Sequence, residues 1–483
     1  MDGFIIEGDV LKKYTGDGGR VVIPDGINVI GEEAFWGCNV TEVIFPHGLR
    51  RIGNQAFYQC TALTEIVIPD TVVEVGRWAF AFCSSLEQAE VGGCGDSLSD
   101  GVFKNCGKLK IVQLPEGLCE IGENAFGGCE ALEYIYFPDS LEDIDEFAFY
   151  GCVSLKEVEI PLGVNRLSGA HFGFGAVTEF RVAEGNRHFK AIDGSLYDKS
   201  GDTLIRYACG KTDNEFYVPY HVKNIDEFAF AQAINLKRVF LHDGVKRIGR
   251  KAFYGSGITE IEIPRSIEYL PELVFGSCKA LRSVKLSDTL IRIGEDAFYL
   301  CESLLNIVIP EQLKTLENGA FSYCSGLTSL LIPKGVERIG DYVFRECNNL
   351  RDLTILTDKV DGRLFLGCSS LESIYVLSRE LAEKILFDWH YFCAMRGFLA
   401  RYYERKTTAE EADGWVAYIL NHKLKCVEKL GEEMLFWRFM LEREILSAED
   451  VRTYVNLVTA LECRAFLFKY LNECGEEDRD GGV

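Results

Sequence analysis

A motif close to LxxIxIPxGVxxIGxxAFxxC returns every 22 or 23 residues along this 483-residue chain, fourteen times in all. Its prolines fall at Pro46, Pro69, Pro115, Pro138, Pro161, Pro264, Pro310 and Pro333. Its alanine-phenylalanine pairs keep the same beat at Ala34-Phe35, Ala56-Phe57, Ala79-Phe80, Ala125-Phe126, Ala148-Phe149, Ala229-Phe230, Ala252-Phe253, Ala297-Phe298 and Ala320-Phe321. A unit this short cannot bury its own apolar residues. It must stack on its neighbours, so the chain is constrained to a solenoid.

One copy shows the physics. Leu63, Ile66 and Ile68 lead into Pro69, and Val72, Val75, Gly76, Ala79 and Phe80 follow. The alternation through Ile66, Val67 and Ile68 is that of a strand, and a proline that cannot donate to the ladder ends it. One short strand per turn is expected. Gly31, Gly53, Gly76, Gly122, Gly249, Gly294 and Gly340 hold one fixed place, where either a positive φ or a close backbone approach excludes a Cβ. The recurring Phe reads as a stacked interior ladder.

Eleven of the eighteen cysteines follow that Phe by three residues: Cys38, Cys60, Cys83, Cys106, Cys129, Cys152, Cys278, Cys301, Cys324, Cys347 and Cys368. Adjacent turns stack in register at about 4.8 Å, and a whole ladder of bridges at that spacing would be strained. The pattern therefore predicts a row of buried, reduced thiols. No CxxC pair and no histidine in register provides a zinc site, so neither a metal nor any other cofactor is expected.

The proline-ended strand and the AFxxC element together resemble the BspA-like, or Treponema pallidum type, leucine-rich repeats. The resemblance covers residues 20 to 376. It implies an α/β-type repeat solenoid: a curved, right-handed leucine-rich-repeat ribbon of about 14 turns with a strand-lined concave face, in bacterial or protozoan proteins that mostly bind other macromolecules. It does not imply an enzyme.

The organisation that follows has an N-terminal hairpin-like cap at 1–19 and repeats 1 to 7 at 20–182. A hairpin insertion at 183–218 precedes repeats 8 to 14 at 219–376, and an all-α helical domain fills 377–483. Ser195 to Tyr197 and Thr203 to Tyr207 read as the strands of the insertion, joined by a turn through Asp198 to Asp202. Phe4, Ile6, Gly8, Leu11 and Tyr14 are spaced like a shortened version of the same hairpin. Asp193, Asp198 and Asp202 lack the DxDxDG spacing of a calcium loop and suit a tight turn.

In the tail, Leu381, Ile385, Leu386, Trp389, Phe392, Cys393, Met395 and Leu399 form an apolar helical stripe. Thr408 with Glu411 and Ser447 with Asp450 read as capping boxes. About six helices are expected, resembling ankyrin or HEAT-like pairs without the ankyrin TPLHxA element.

The net charge is −23, and the tail, with 15 basic and 20 acidic residues, carries only −5 of it. Such a balance repels nucleic acid and anionic membrane, and it also keeps a long ribbon soluble. The first twenty residues show no secretion signal and no stretch is apolar enough to span a membrane, so a reducing cytoplasm is expected, with the cell surface as the alternative. No P-loop, HExxH, GxSxG or Rossmann pattern is present. His390 with Cys393 shares a helical face without a third partner, so the pair reads as a packed seam rather than a catalytic site.

Binding remains as the function class. Outward strand positions should line the concave face, and several carry apolar or aromatic residues where a solvated strand would be polar: Ile44, Val67, Ile111, Tyr134, Tyr136, Phe240, Val308, Leu331 and Tyr375. Strand propensity alone also favours such residues. Ringed by Glu157, Glu159, Glu260 and Glu262, they form a candidate site for a protein or peptide of basic character, with Tyr134 and Tyr136 its centre.

Overall fold

The computed structural model describes residues 3–172, 177–360, 363–376, 388–404 and 407–480. The chain divides into two compact units, Met1–Leu281 and Arg282–Val483. It forms about 16 solenoid turns, where fourteen copies of the motif were expected. The two further turns border the interruption. Glu179–Val182 pairs in parallel with Glu157–Ile160, and Glu215–Tyr217 pairs in parallel with Arg238–Phe240. The second of these lies inside the stretch expected to be a hairpin insertion.

A typical turn also carries two short strands rather than one. The first makes parallel ladders such as Glu65–Ile68 with Gln88–Val91, whose residues alternate outward and inward. The second spans two residues, as in Arg51–Ile52 with Glu74–Val75, and its inward Ile or Val immediately precedes the fixed glycine. That glycine is explained by close approach. A Cβ on Gly53, Gly76 or Gly249 would lie 2.7, 2.5 or 2.4 Å from a backbone nitrogen of the preceding turn.

Left-handed backbone falls elsewhere in the turn, on residues with side chains. Gln55, Trp78 and Lys251 before the alanine, and Gln59, Phe82 and Asn105 before the cysteine, have φ between 53° and 62°. At the same level the phenylalanine rings stack. Phe35 and Phe57 lie 4.6 Å apart, Phe57 and Phe80 5.1 Å, and Phe126 and Phe149 5.3 Å, with the planes within 14°. In the second unit Phe298 and Phe321 stack at 5.2 Å. Phe103 and Phe344 extend the two series, although valine replaces the motif's alanine before each.

The cysteines beside the rings are free thiols. Many of them donate to the carbonyl of a phenylalanine one turn back: Cys60 to Phe35 at 3.0 Å, Cys83 to Phe57 at 3.2 Å, Cys324 to Phe298 at 3.1 Å. Burial pushes these thiols up, Cys152 and Cys278 to about 12, so they stay protonated at physiological pH.

Both hairpins feed the second, shorter ladder. Phe4–Glu7 pairs antiparallel with Val10–Tyr14, whose Val10 and Leu11 pair in parallel with Val29 and Ile30. Phe189–Ile192, Ser195–Asp198 and Thr203–Arg206 form an antiparallel meander, and Thr203 and Leu204 pair in parallel with Asn224 and Ile225. Tyr14 and Tyr207 take the ring position of the missing phenylalanines, against Phe35 and Phe230. The Asp198 carboxylate accepts the N–H groups of Gly201 and Thr203, which closes the turn.

Six helices are described in the second unit: Asp388–Tyr403, Ala409–Asn421, Lys423–Leu430, Met434–Glu442, Ala448–Tyr454 and Leu461–Asp480. The first lies against the last strand, Ser373–Val376, so closely that a Cβ on Gly397 would sit 2.5 Å from the Ile374 carbonyl. Trp415, Trp437, Phe398 and Phe439 are buried among the helices. At Ser447 the capping box forms: Asp450 N–H donates to Oγ, and Ser447 N–H donates to the Asp450 carboxylate. No helix among the described residues is long and apolar enough to cross a membrane. Leu381, Ile385 and Leu386, together with the side chains of Trp389, His390, Phe392, Cys393, Glu411 and Cys474, lie outside what is described.

Two outcomes follow. Phe126→Ala should destabilise the fold by about 3–5 kcal/mol, read by chemical denaturation, because the ring is wholly buried between two others. Native alkylation followed by mass spectrometry should modify the half-buried Cys38 and Cys119 while sparing Cys83, Cys106, Cys129 and Cys347 until denaturant is added.

Candidate functional site

The outward face of the first-strand ladders is built by alternation. In the first unit it carries Ile44, Val67, Ile111, Tyr134, Tyr136 and Phe240, all exposed, in the company of Glu157, Glu159, Glu260 and Glu262. Its arginines are held by acids of the same face. Arg20 pairs with Glu42 at 2.9 Å, Arg181 with Glu157 at 3.1 Å and Glu179 at 2.6 Å, and Arg238 with Glu215 at 3.5 Å and with Glu260. The register sets Arg20 opposite Glu42 and Arg238 opposite Glu215 and Glu260, while Arg181, opposite Glu159, reaches diagonally to Glu157 and along its own strand to Glu179.

The ladder is interrupted at Tyr134–Tyr136. Ile111–Gln113 ends one sheet and Glu157–Ile160 begins another, and among the described residues Tyr134–Tyr136, in the turn between them, has no strand pairing. Alternation survives, with Ile135 buried and Tyr134 and Tyr136 exposed by 52% and 83%. A cleft of about 320 Å³ opens here, lined by Tyr134, Tyr136, Phe137, Asp139, Glu157, Glu159 and Arg181. The sequence places Tyr134, Tyr136, Glu157 and Glu159 on one face, and the structure brings all four to this cleft.

Other expected site residues are dispersed. Phe240 stacks on Tyr217 with ring centroids 4.3 Å apart, and beside them in sequence Tyr220 packs on His242 at 5.1 Å. Tyr217 and Tyr220 were not expected. Their signal was present, since Pro219 precedes Ala229 by ten residues as Pro69 precedes Ala79. In the second unit Val308 and Leu331 are exposed on the same face of their own turns. Tyr375 is not: expected on the outward binding face, it is 6% exposed beneath helix Asp388–Tyr403, whose Arg401 guanidinium lies 3.6 Å from its ring centroid.

A second cavity, about 510 Å³, lies by the two-residue ladder among Glu123, Asp145, Glu146, Arg166, Leu167, Ser168 and His171. His171 is buried and Nδ1 lies 3.0 Å from the Ser168 N–H; burial lowers its pKa, so the ring is neutral and serves the local turn. Glu120 and Asp145 are pushed above the usual carboxylate range, first by burial and then by neighbouring carboxylates including Asp143 and Asp100. Arg166 opposes this, at 3.0 Å from Asp143 and 3.6 Å from Asp145.

The geometry of repeats, buried thiols and an outward strand face has a family counterpart. A family model described as the BspA type leucine rich repeat region matches residues 14–95, 93–199, 206–326 and 271–385. The chain belongs to the BspA-type leucine-rich-repeat family. Among solved structures, a leucine rich cell surface protein of Faecalibacterium prausnitzii is 28% identical, with 80% of this chain and 96% of that one covered and a TM-score of 0.56. A leucine-rich repeat protein of Eubacterium ventriosum is 22% identical over 72% and 88% of the two chains, with a TM-score of 0.49. No curated protein matches the chain. Leucine-rich-repeat proteins of this kind act in protein-protein interaction or as surface antigens.

The carboxylates of this BspA-type solenoid give a pH-dependent outcome. In the folded state Glu120 and Asp145 hold their protons to higher pH than in the unfolded chain. Stability therefore falls as pH rises from the unfolded carboxylate value through the folded one, and the full cost is present above it. Glu120→Gln should raise the melting temperature at pH 7, with the advantage shrinking as pH is lowered towards about 4.

Proposed function

We propose that the chain is a non-enzymatic interaction scaffold that binds a protein or peptide of basic character along the outward strand face. The observation that carries this reading is the Tyr134/Tyr136 cleft, where exposed rings meet an excess of carboxylates at a gap in the ladder. Exposed aromatic groups rimmed by charge are what a protein-binding face uses as anchors. The same excess of acids disfavours nucleic acid and anionic membrane, whose phosphates call for clustered Lys and Arg.

Affinity capture from native lysate with tagged protein, quantified by mass spectrometry, tests it. Tyr134→Ala/Tyr136→Ala/Phe240→Ala should lose specific partners that Trp36→Ala/Tyr58→Ala retains, because the second pair lies in the alanine-phenylalanine turns rather than on the strands. Equal capture by both variants would remove the strand face as the site.

A second reading places the same scaffold on the cell surface, favoured by the Faecalibacterium relative, which is a cell surface protein. Protease treatment of intact cells separates the two. Digestion supports surface display, and a protected chain supports a cytoplasmic scaffold.

A further inference from the structure

Tyr136 and Tyr375 hold the same position in the repeat, since LEYIYF at 132–137 aligns residue for residue with LESIYV at 371–376. In the last turn this tyrosine is covered from within the chain by the Arg401 guanidinium, 3.6 Å from the ring centroid. At the cleft nothing plays that part: among the described residues no ring stacks on Tyr134 or Tyr136 and no cation lies over either. The aromatic pair Tyr217 and Phe240, in contrast, cover one another.

The surroundings of Tyr136 suit the same occupant. Asp139, Glu157 and Glu159 line the cleft with Arg181, and Arg181 is committed to Glu157 and Glu179. Among the described residues Asp139 and Glu159 make no salt bridge.

We propose that the cleft receives an arginine side chain carried on an extended, basic segment of a partner protein, with the guanidinium over the Tyr136 ring as Arg401 lies over Tyr375. This rests on the reading of the strand face as a protein-binding surface and names what that surface recognises at its centre. Arginine is favoured over lysine because its planar group can lie flat on a ring while its edge donates to carboxylates. The volume of about 320 Å³ falls at the small end of ligand clefts and admits one long side chain rather than a folded domain.

The test is a ligand-observed NMR titration of the full-length protein at low salt with the heptapeptide Gly-Ser-Val-Arg-Val-Ser-Gly. Versions carrying lysine, citrulline or glutamate in place of the arginine are compared. The arginine peptide should bind saturably, and the citrulline version, which keeps the shape but lacks the charge, should bind about tenfold more weakly. Tyr136→Leu and Glu159→Gln should each weaken the arginine peptide about tenfold, while Tyr58→Ala, away from the strand face, leaves it unchanged.

Absence of saturable arginine-peptide binding, equal binding of citrulline, or indifference to Tyr136→Leu would overturn the assignment. Should the peptide fail while the triple variant of the preceding section still loses its captured proteins, the arginine cleft falls and the broader scaffold reading stands. Failure of both experiments removes both.

Discussion

Everything in the two solenoid units depends on one contact repeated: a phenylalanine ring set flat against the ring of the next turn. The stacking holds successive turns together. Once the rings are aligned, the thiol three residues on faces the carbonyl of the previous ring's residue, and the backbone N–H of Phe35 or Phe57 reaches the alanine carbonyl of the next turn at 2.7 Å. A buried ring of this kind contributes several kcal/mol, whereas each single hydrogen bond contributes about 1 kcal/mol net. The rings supply the cohesion, and the hydrogen bonds supply the register.

That cohesion must offset a conformational cost. Many turns hold two residues with side chains in the left-handed region, one before the alanine and one before the cysteine. Each costs about 1–2 kcal/mol for an L-residue. A lone turn would unwind, and the geometry persists because it is enforced from both sides by neighbours. At the ends of a block that support has to come from other structure. The hairpins provide it, with Tyr14 and Tyr207 donating their N–H groups to the Ala34 and Ala229 carbonyls and placing their rings on the stack. Buried Arg206 makes a further junction by donating to the carbonyls of both Phe172 and Phe228.

The interior was legible because every turn solves the same packing problem with the same residue types, so Leu63, Ile66, Phe80 and Cys83 recur by position. What escaped the sequence reading has particular causes. A two-residue strand such as Glu74–Val75 is too short to show a period, so the second ladder had no signature. Tyr375 does point outward as its strand pattern required, but its covering group comes from a helix whose docking no strand pattern encodes. Glu215–Tyr217 was masked by the meander before it, although Pro219 kept the beat. The opening at Tyr134–Tyr136 went unread, since LEYIYFP keeps the alternation of its neighbours and its inward Ile135 and Phe137 replace the Val and the Leu or Ile of the flanking turns with other apolar residues.

Those outward positions explain how one unit can be both uniform and selective. Inward residues answer to the stack and are drawn mainly from Leu, Ile, Val, Phe, Ala and Cys, with Tyr14 and Tyr207 at the ring position and Ser256 at the thiol position. Outward residues answer to nothing in the core, so the same register position holds Val67 in one turn, Glu90 in the next and Tyr136 two turns later. Arginines then neutralise part of what accumulates, as Arg181 does with Glu157 on the neighbouring strand and Glu179 on its own. Where such neutralisation is incomplete and the ladder also opens, rings and carboxylates are left facing solvent together. Exposing Tyr136 costs the solenoid little because its stability is stored one layer below, in the Phe126 and Phe149 stack. The core therefore imposes the form of the turn while leaving the face free to take on recognition.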